Sequence, residues 1–541
     1  MAPTSAANQT VHHIEATQRV FPHRQSNSPT TSRLSVIDAT VARFTPTAAI
    51  WLYDKPTTGN ILPQDLSNSI SHALSQTLVD YPHFAGQIQW ATKDLVKDDI
   101  VPRHLGRPVV VHGTSDDPGV ELVVVNYDMD LDCVVPSRDE RAAHLKQWNA
   151  SGFPQSDFLP PTKIALMSLN AIEGLPAMAV QLTAFRCGGL GISAKISHPL
   201  ADATALANFM HLWAARSRIL LGGKVEPGYL ESLKPIFIPS QLDQVAGLRR
   251  GSPPDPEKVA KARSLPMHRF DWWAEDAPGY PAVVKPSSQA TMPPPDELRT
   301  IELSPSTFPP WKTWNTGAPV DRVQIRFTAD ELIRMKDAAQ ASLPDSLNSL
   351  RISRLDATLG HIWTLMNRAR GYQGHGESVY MNITLGLRSR VSPPLPSNFV
   401  GSPLLLGYIE KTGDEAASEE LGSTARAIRQ MMSRFTPDAV AAYIHDAAHE
   451  VSPQRLWQGF VGSHHTLVTS WVRTNAYEVD FLGTGGLARY VQGVMPKIDG
   501  LVQVMDVADT GDFDVSLCME HDAMGRLLKD PLLRRYDISN V

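Results

Sequence analysis

The sequence predicts an α/β protein of two domains divided by a proline-rich crossover, and three observations carry that expectation. The chain has 541 residues, 42% of them hydrophobic, which is more than one hydrophobic core usually supports. Runs of β-branched residues and helical periodicities occur in both halves. Between roughly Gly222 and Ala318 the character changes, with pieces such as GSPPDPEK and ATMPPPDE, whereas ordinary loops inside a compact domain run about 4–6 residues. The expected division is residues 1–221 as an N-terminal lobe, 222–318 as a crossover and 319–541 as a C-terminal lobe. No sequence repeat or heptad run links the halves.

Residues up to about Ser32 are polar, with an edge strand expected near Val11 to Val20. In LPQDLSNSISHALSQTLVDYPHFAGQI, Leu66, Ile70, Ala73, Leu74 and Leu78 fall at helical spacing and Pro82 lies just past the end, so a helix is predicted. The runs PVVVHG, VELVVVNY, TKIALMSL and PAMAVQLTAF read as strands. In GISAKISH, Ile192, Ala194, Ile196 and His198 share one face while Ser193, Lys195 and Ser197 share the other, which sets His198 at the end of an inward-facing row. After a very short connection, ADATALANFMHLWAARSRILL has Leu206, Phe209, Met210 and Trp213 at helical spacing. Beyond the crossover, VDRVQIRF alternates, and Thr328 with Glu331 forms a capping-box pattern opening the helix TADELIRMKDAAQAS.

Composition excludes several classes. The 50 Lys+Arg against 56 Asp+Glu give a net charge of -6, with no long basic run to track a phosphate backbone, so nucleic acid is not an expected partner. Cys133, Cys187 and Cys518 are odd in number and far apart, with no CxxC pair; this suggests neither a disulfide framework nor a thiolate zinc site, and fits a reducing compartment. The N-terminal MAPTSAANQTVHHIEATQRVF lacks the basic and apolar regions of a secretory signal, no apolar run reaches about 18 residues, and Ile538-Ser539-Asn540-Val541 carries no retention or peroxisomal tripeptide. A cytoplasmic protein with no membrane partner is the expectation.

Four local patterns carry less weight. His445-Asp446-Ala447-Ala448-His449 has the spacing of a two-histidine zinc helix with Asp in place of Glu, but Val440, Tyr443, Ile444, Ala447 and Val451 form the apolar stripe, which puts both histidines on a solvated face and predicts no metal. For His464 and His465, an active-site role and a simple turn are both open by spacing. GLGIS has no phosphate-loop lysine, and GTGG at Gly483 to Gly486 lacks the following helix and downstream acid of a dinucleotide site.

The remaining candidate is His198 with Asp202, four residues on. By spacing alone two readings stand: a catalytic base with an orienting acid, or a core histidine followed by the aspartate N-cap of a helix. The surroundings add specificity. QLTAFRCGGLGISAKISHPLADATALANFMHLWA resembles the active-site segment of the BAHD acyltransferases through Gln181, Phe185, Cys187, Gly188, Gly189, His198, Asp202, Phe209 and Trp213. Leu34-Ser35 with Asp38, Tyr81-Pro82 with Ala85-Gly86, Asn382, Leu387-Arg388-Ser389-Arg390, Pro393 to Pro396, Phe399 with Gly401, Thr469-Ser470-Trp471 and Asp480-Phe481 extend the resemblance in order over most of the chain. Ala203 departs from the family's usual glycine, Ser402 from its usual Asn, and Leu482-Gly483-Thr484-Gly485 from its late DFGWG signature. The pattern is closer to the fungal branch, such as the trichothecene 3-O-acetyltransferases.

The resemblance implies a chloramphenicol acetyltransferase-like pair of similar-sized lobes, each a mixed sheet with helices, and an active-site channel between them. It implies a monomer that holds no permanent cofactor, takes an acyl-CoA as co-substrate, and passes the acyl group, acetyl as the first guess, to a small-molecule alcohol or amine. His198 would be the general base, and Thr469 and Trp471 would position the tetrahedral intermediate. No covalent acyl-enzyme is required, so Cys187 is expected to be a packed thiol. Asp202 would pair with an arginine and hold the histidine's loop. Asp480 and Gly483 would be structural, and either Arg388 or Arg390 is a candidate partner for Asp202 or Asp480. Two alternatives stay open: a condensation-type enzyme using a carrier-bound donor, although such domains have a second histidine where this chain has Ser197, and a non-catalytic small-molecule-binding relative.

Overall fold

A computed structural model describes residues 11–24, 28–56, 63–143, 146–347, 349–483, 487–507 and 509–538. The first ten residues and the last three, on which part of the targeting-signal expectation rests, lie outside the described residues, as do Thr484, Gly485 and Gly486.

Two mixed sheets form the scaffold. The six-stranded sheet runs in the order His12–Val20, Val120–Tyr127, Met178–Phe185, Leu190–Ile196, Thr47–Tyr53, Tyr490–Gly493. The seven-stranded sheet runs Leu404–Thr412, Ser378–Gly386, His465–Ser470, Leu501–Asp506, Phe513–Glu520, Val320–Phe327, Gln147–Asn149. Each sheet thus borrows an edge strand from the other half of the chain. Gln147–Asn149 pairs antiparallel with Val323 to Ile325, and Tyr490–Gly493 pairs antiparallel with Ala49 to Leu52. Boundaries drawn at 221 and 319 along the sequence therefore miss the exchanged strands, because a contiguous cut cannot describe two sheets that swap edges.

Both faces of the central strands are covered, so Leu190–Ile196 is buried throughout, Ser193 and Lys195 included. Ile192, Ala194 and Ile196 join Trp51, Phe209 and Trp213 in one hydrophobic cluster. Ser193 and Lys195 lie on a buried polar face, where the Lys195 Nζ donates to the Pro160 carbonyl at 2.6 Å. TKIALMSL does not form the expected strand. The chain turns there, with Leu166 at φ 64° and its N–H donating to the Ala171 carbonyl at 2.8 Å, while Ile164, Ala165 and Leu166 are buried. Apolar alternation reported burial there without reporting an extended backbone.

The crossover is a packed element. It carries short helices, and Phe270–Asp271 pairs antiparallel with Leu456–Trp457. Phe270, Trp272, Trp273 and Trp311 of the crossover cluster with Val451 and Phe460 of the C-terminal lobe. Among the described residues no helix is long and apolar enough to cross a membrane.

Candidate active site

Pro199 sits within a single 3-10 turn, His198–Leu200, that ends the strand Leu190–Ile196. Because proline donates no hydrogen bond and fixes its own φ, the chain cannot extend the sheet and bends directly into the helix Ala203–Leu220. Asp202 is that helix's N-cap, its Oδ1 accepting from the Ala205 N–H at 2.9 Å. The capping expectation holds, but it does not exhaust the residue's role. Arg388 of the C-terminal lobe donates to Asp202 Oδ2 at 2.6 Å and to Oδ1 at 3.0 Å, and a further bond from Arg388 reaches the Phe399 carbonyl at 2.9 Å. The Asp202 N–H donates to the Gly401 carbonyl at 2.9 Å. The two loops that meet at the histidine are thereby fastened together across the lobes.

Ser402 and Phe44 flank the side chain of His198, a residue whose backbone carbonyl also accepts from the Ala201 N–H at 3.2 Å. Its Nδ1 is 3.1 Å from the Ser402 Oγ, and the Ser402 hydroxyl donates to the His198 carbonyl. The Phe44 ring meets the imidazole edge-on with centroids 5.3 Å apart, and Phe44 in turn meets Trp457 at 5.1 Å. Burial among these groups drives the His198 pKa down to about 4, partly offset by a hydrogen bond to its own backbone and by the charge of Asp202. The imidazole is neutral at pH 7 and able to accept a proton. A narrow cleft beside Phe44 is walled by Thr40 and Val41 of one lobe and by Leu404, Leu456, Trp457 and Gln458 of the other. A second cleft shares Thr40, Leu456 and Gln458 and continues to Leu265, Met267 and His268 of the crossover.

Behind Ser402 stands Asp38, fully buried. Its Oδ1 accepts from the Ser402 N–H at 2.7 Å, and its Oδ2 accepts from Ser35 through both the hydroxyl, at 2.6 Å, and the N–H, at 3.1 Å. Burial pushes the Asp38 carboxyl up to about 6 in spite of these donors.

The other expected site residues lie further out. Among the described residues Arg390 pairs with no aspartate; it donates to the carbonyls of Met432 and Phe435 at 2.8 and 3.3 Å. The partner of Asp480 is Arg218, on the helix that Asp202 caps: the guanidinium donates to the Asp480 carbonyl at 2.6 Å and lies 3.8 Å from its carboxylate. Asp480 Oδ1 accepts from the Leu482 and Gly483 N–H groups, each at 2.9 Å, in a tight turn that needs Gly483 at φ 69°. Thr469 is half-buried on the strand His465–Ser470, and Trp471 is buried in the N-terminal lobe's cluster with its backbone N–H donating to the Val504 carbonyl at 2.8 Å. Neither is among the partners of His198.

Two expectations are corrected. Cys187 is exposed in the turn between the strands Met178–Phe185 and Leu190–Ile196, because a two-stranded turn of this kind carries its side chains outside the sheet. His445 is buried and His449 half-buried instead of solvated, because the crossover packs over that face: the Asp255 N–H donates to His445 Nε2 at 2.9 Å. Among the described residues no group of three or more His, Cys, Asp and Glu is placed to hold a metal. His465 is buried and stacked on Tyr380, and half-buried His464 lies within 3.2 Å of Glu377.

Sequence reasoning missed Ser402, Asp38 and Phe44 as the histidine's support. A signal existed for one of them: Ser35-x-x-Asp38 is a capping-box pattern, and Ser35 does cap the helix Val36–Thr40 while the Asp38 carboxylate accepts from the Ser35 N–H.

The strand–helix corner, the Asp202–Arg388 pair and the interlobe cleft frame the comparison with known proteins. The family model described as "Transferase family" matches residues 11–97, 154–229 and 283–532. The chain belongs to this family of BAHD acyltransferases. Among its relatives, the acyltransferase AFT15-1 of Alternaria alternata is 25% identical, with 97% of each chain covered. The acyltransferase abl6 of Leptosphaeria maculans is also 25% identical, covering 96% of this chain and 97% of the relative. Among solved structures, TRI101 of F. graminearum, in a complex with coenzyme A and T-2 mycotoxin, has a TM-score of 0.65 at 16% identity, covering 94% of this chain and 99% of that one. Vinorine synthase has a TM-score of 0.56 at 17% identity, with 95% and 96% covered. The two-lobed α/β architecture of this BAHD family member is the one those structures share.

Proposed function

We propose that this acyltransferase moves an acyl group, acetyl in the first instance, from a coenzyme A thioester to the hydroxyl of a small specialised metabolite, with His198 as general base. The observation that carries the reading is the imidazole at the strand–helix corner, tied on its Nδ1 side to Ser402 and packed against Phe44, which itself lines a cleft walled by residues of both lobes. A neutral alcohol is a poor nucleophile at pH 7. An imidazole that takes its proton as the carbon–oxygen bond forms contributes about 10²–10⁴ in rate. The lowered pKa gives the imidazolium a strong tendency to pass that proton on to the departing thiolate. No group of the protein need be acylated.

The negative oxygen of the tetrahedral intermediate needs a donor, typically worth about 10²–10³. Thr469 and Trp471 are assigned to this by family position, and Thr469, half-buried, is the more accessible residue of the two. Support for coenzyme A and a polycyclic alcohol as ligand classes comes from the TRI101 complexes with coenzyme A, T-2 toxin and deoxynivalenol. The condensation-type alternative is not favoured, since the residue before His198 is Ser197 and its hydroxyl is taken up by the Ala165 and Ala177 carbonyls. The three free cysteines suit a reducing interior, and we place the enzyme in the cytoplasm as a monomer.

The test is to incubate the purified protein with acetyl-CoA and longer acyl-CoA thioesters against a mixture of polycyclic alcohols and amines, following free thiol and acylated product by mass spectrometry. Thiol release matched by an ester supports the reading. Amide products alone would move it to N-transfer, and transfer only from an acylated carrier protein would overturn it.

A further inference from the structure

We infer that Ser402 is a positioning residue that, together with the ring's bond to its own backbone, sets the tautomer of His198, and that Asp38 holds Ser402 in place to do so; this rests on His198 being the base. A carbonyl oxygen can only accept, so the contact between the Ser402 Oγ and the His198 carbonyl uses the single proton of the serine hydroxyl. What the Ser402 oxygen then presents to His198 Nδ1, 3.1 Å away, is a lone pair. That contact is a hydrogen bond only if Nδ1 carries the ring proton. Nε2 is left unprotonated, and it is the nitrogen that takes the proton of the acceptor. When His198 becomes an imidazolium, Nδ1–H already has its acceptor, so the charged state needs no rearrangement behind the ring.

Ser402 can do this only if its backbone is fixed against the motif loop, and the structure fixes it from three sides. Asp38 Oδ1 accepts its N–H at 2.7 Å. The preceding carbonyl, that of Gly401, accepts the Asp202 N–H at 2.9 Å, and the Phe399 carbonyl accepts from Arg388 at 2.9 Å. Gly401 stands at φ 141°, and a Cβ there would lie 2.9 Å from Asp38 Oδ1, so a glycine is what allows the carboxylate to reach the next N–H. Ser402 is itself fully buried. It acts through the histidine and touches no reacting atom.

The tautomer is read directly from long-range ¹H–¹⁵N spectra of protein labelled at histidine, with the His198 ring assigned by its disappearance in His198→Gln. The wild-type ring should be the Nδ1–H form. Ser402→Ala should shift it toward a mixture and lower kcat about tenfold, the effect of one hydrogen bond, with KM for the acyl-CoA unchanged. Ser402→Asn, whose amide oxygen can accept from Nδ1, should restore most of kcat. An Nε2–H ring in the wild-type protein overturns the inference whatever the variants do. So does a Ser402→Ala protein with the wild-type tautomer and wild-type kcat. An Nδ1–H wild-type ring lost in Ser402→Ala, in a protein that releases no thiol with any acyl-CoA, would uphold the inference while overturning the proposed activity, so the two failures are distinct.

Discussion

Arg388 grips both carboxylate oxygens of Asp202, at 2.6 and 3.0 Å, from the opposite lobe. The aspartate of the motif is therefore both a helix cap and an interlobe clamp. Its side chain points to the arginine and the helix N-terminus, away from any role in proton transfer.

Replacing Asp202 by Asn should mainly cost stability. The amide can still cap the helix, but it leaves the Arg388 guanidinium, about 14% exposed, without its counter-charge. Removing one partner of a buried pair typically costs about 3 kcal/mol. Calorimetry should show a lowered Tm, and activity per folded molecule should fall less than total activity. An unchanged Tm with full activity contradicts the clamp.

The acid limb of kcat/KM should lie near pH 4. The His198 pKa is depressed from 6.5 to about 4 by burial, so the base stays neutral through mildly acidic solution. A base titrating at 6.5 would retain about a tenth of its activity at pH 5.5, whereas this one should lose little between pH 7.5 and 5.5. For stability the sign follows from the depressed value: the contribution of neutral His198 is complete above 6.5 and is lost as pH falls toward 4. Asp38 acts oppositely. Its carboxyl is raised to about 6, so its contribution is complete below 3.8 and is lost as pH rises through 6. Urea titrations of wild type and His198→Gln across pH 4 to 7 isolate the histidine term.

Phe44→Ala should move that acid limb upward, toward 6.5. The ring packs edge-on against His198, and removing it admits water to a group whose pKa is depressed chiefly by burial. A pH–rate profile identical to wild type would mean that Phe44 does not shield the imidazole.

Much of this arrangement was legible in the sequence, for a physical reason that can be named residue by residue. Strand alternation, a very short connection and a capping aspartate are local signals, and they located the corner between Leu190–Ile196 and Ala203–Leu220. The partner choices were not local. Arg388 and Arg390 are two residues apart, and only the tertiary fold sends one to Asp202 and the other to the Met432 and Phe435 carbonyls. Likewise, Asp480 found Arg218, more than 200 positions away, and His445 was covered by a crossover whose packing no periodicity reports. The exchanged strands Gln147–Asn149 and Tyr490–Gly493 are short and pair across the lobes, so nothing in their own composition announces their sheet.

Arg218→Ala should loosen the late segment without touching the base. The lost bond runs from a charged, largely buried guanidinium to the Asp480 carbonyl, worth about 2 kcal/mol. Hydrogen exchange at Leu482 and Gly483 should accelerate while the amides of Ile192 to Ile196 keep their protection. Uniform acceleration throughout the N-terminal lobe would contradict so local a role.

The most direct measurement of the central claim is thiol release by His198→Ala beside wild type, at equal folded concentration verified by calorimetry. His198→Ala should remain folded, with a cooperative thermal transition, and turn over about 10²–10⁴ more slowly. Wild-type turnover in a folded His198→Ala protein would contradict it.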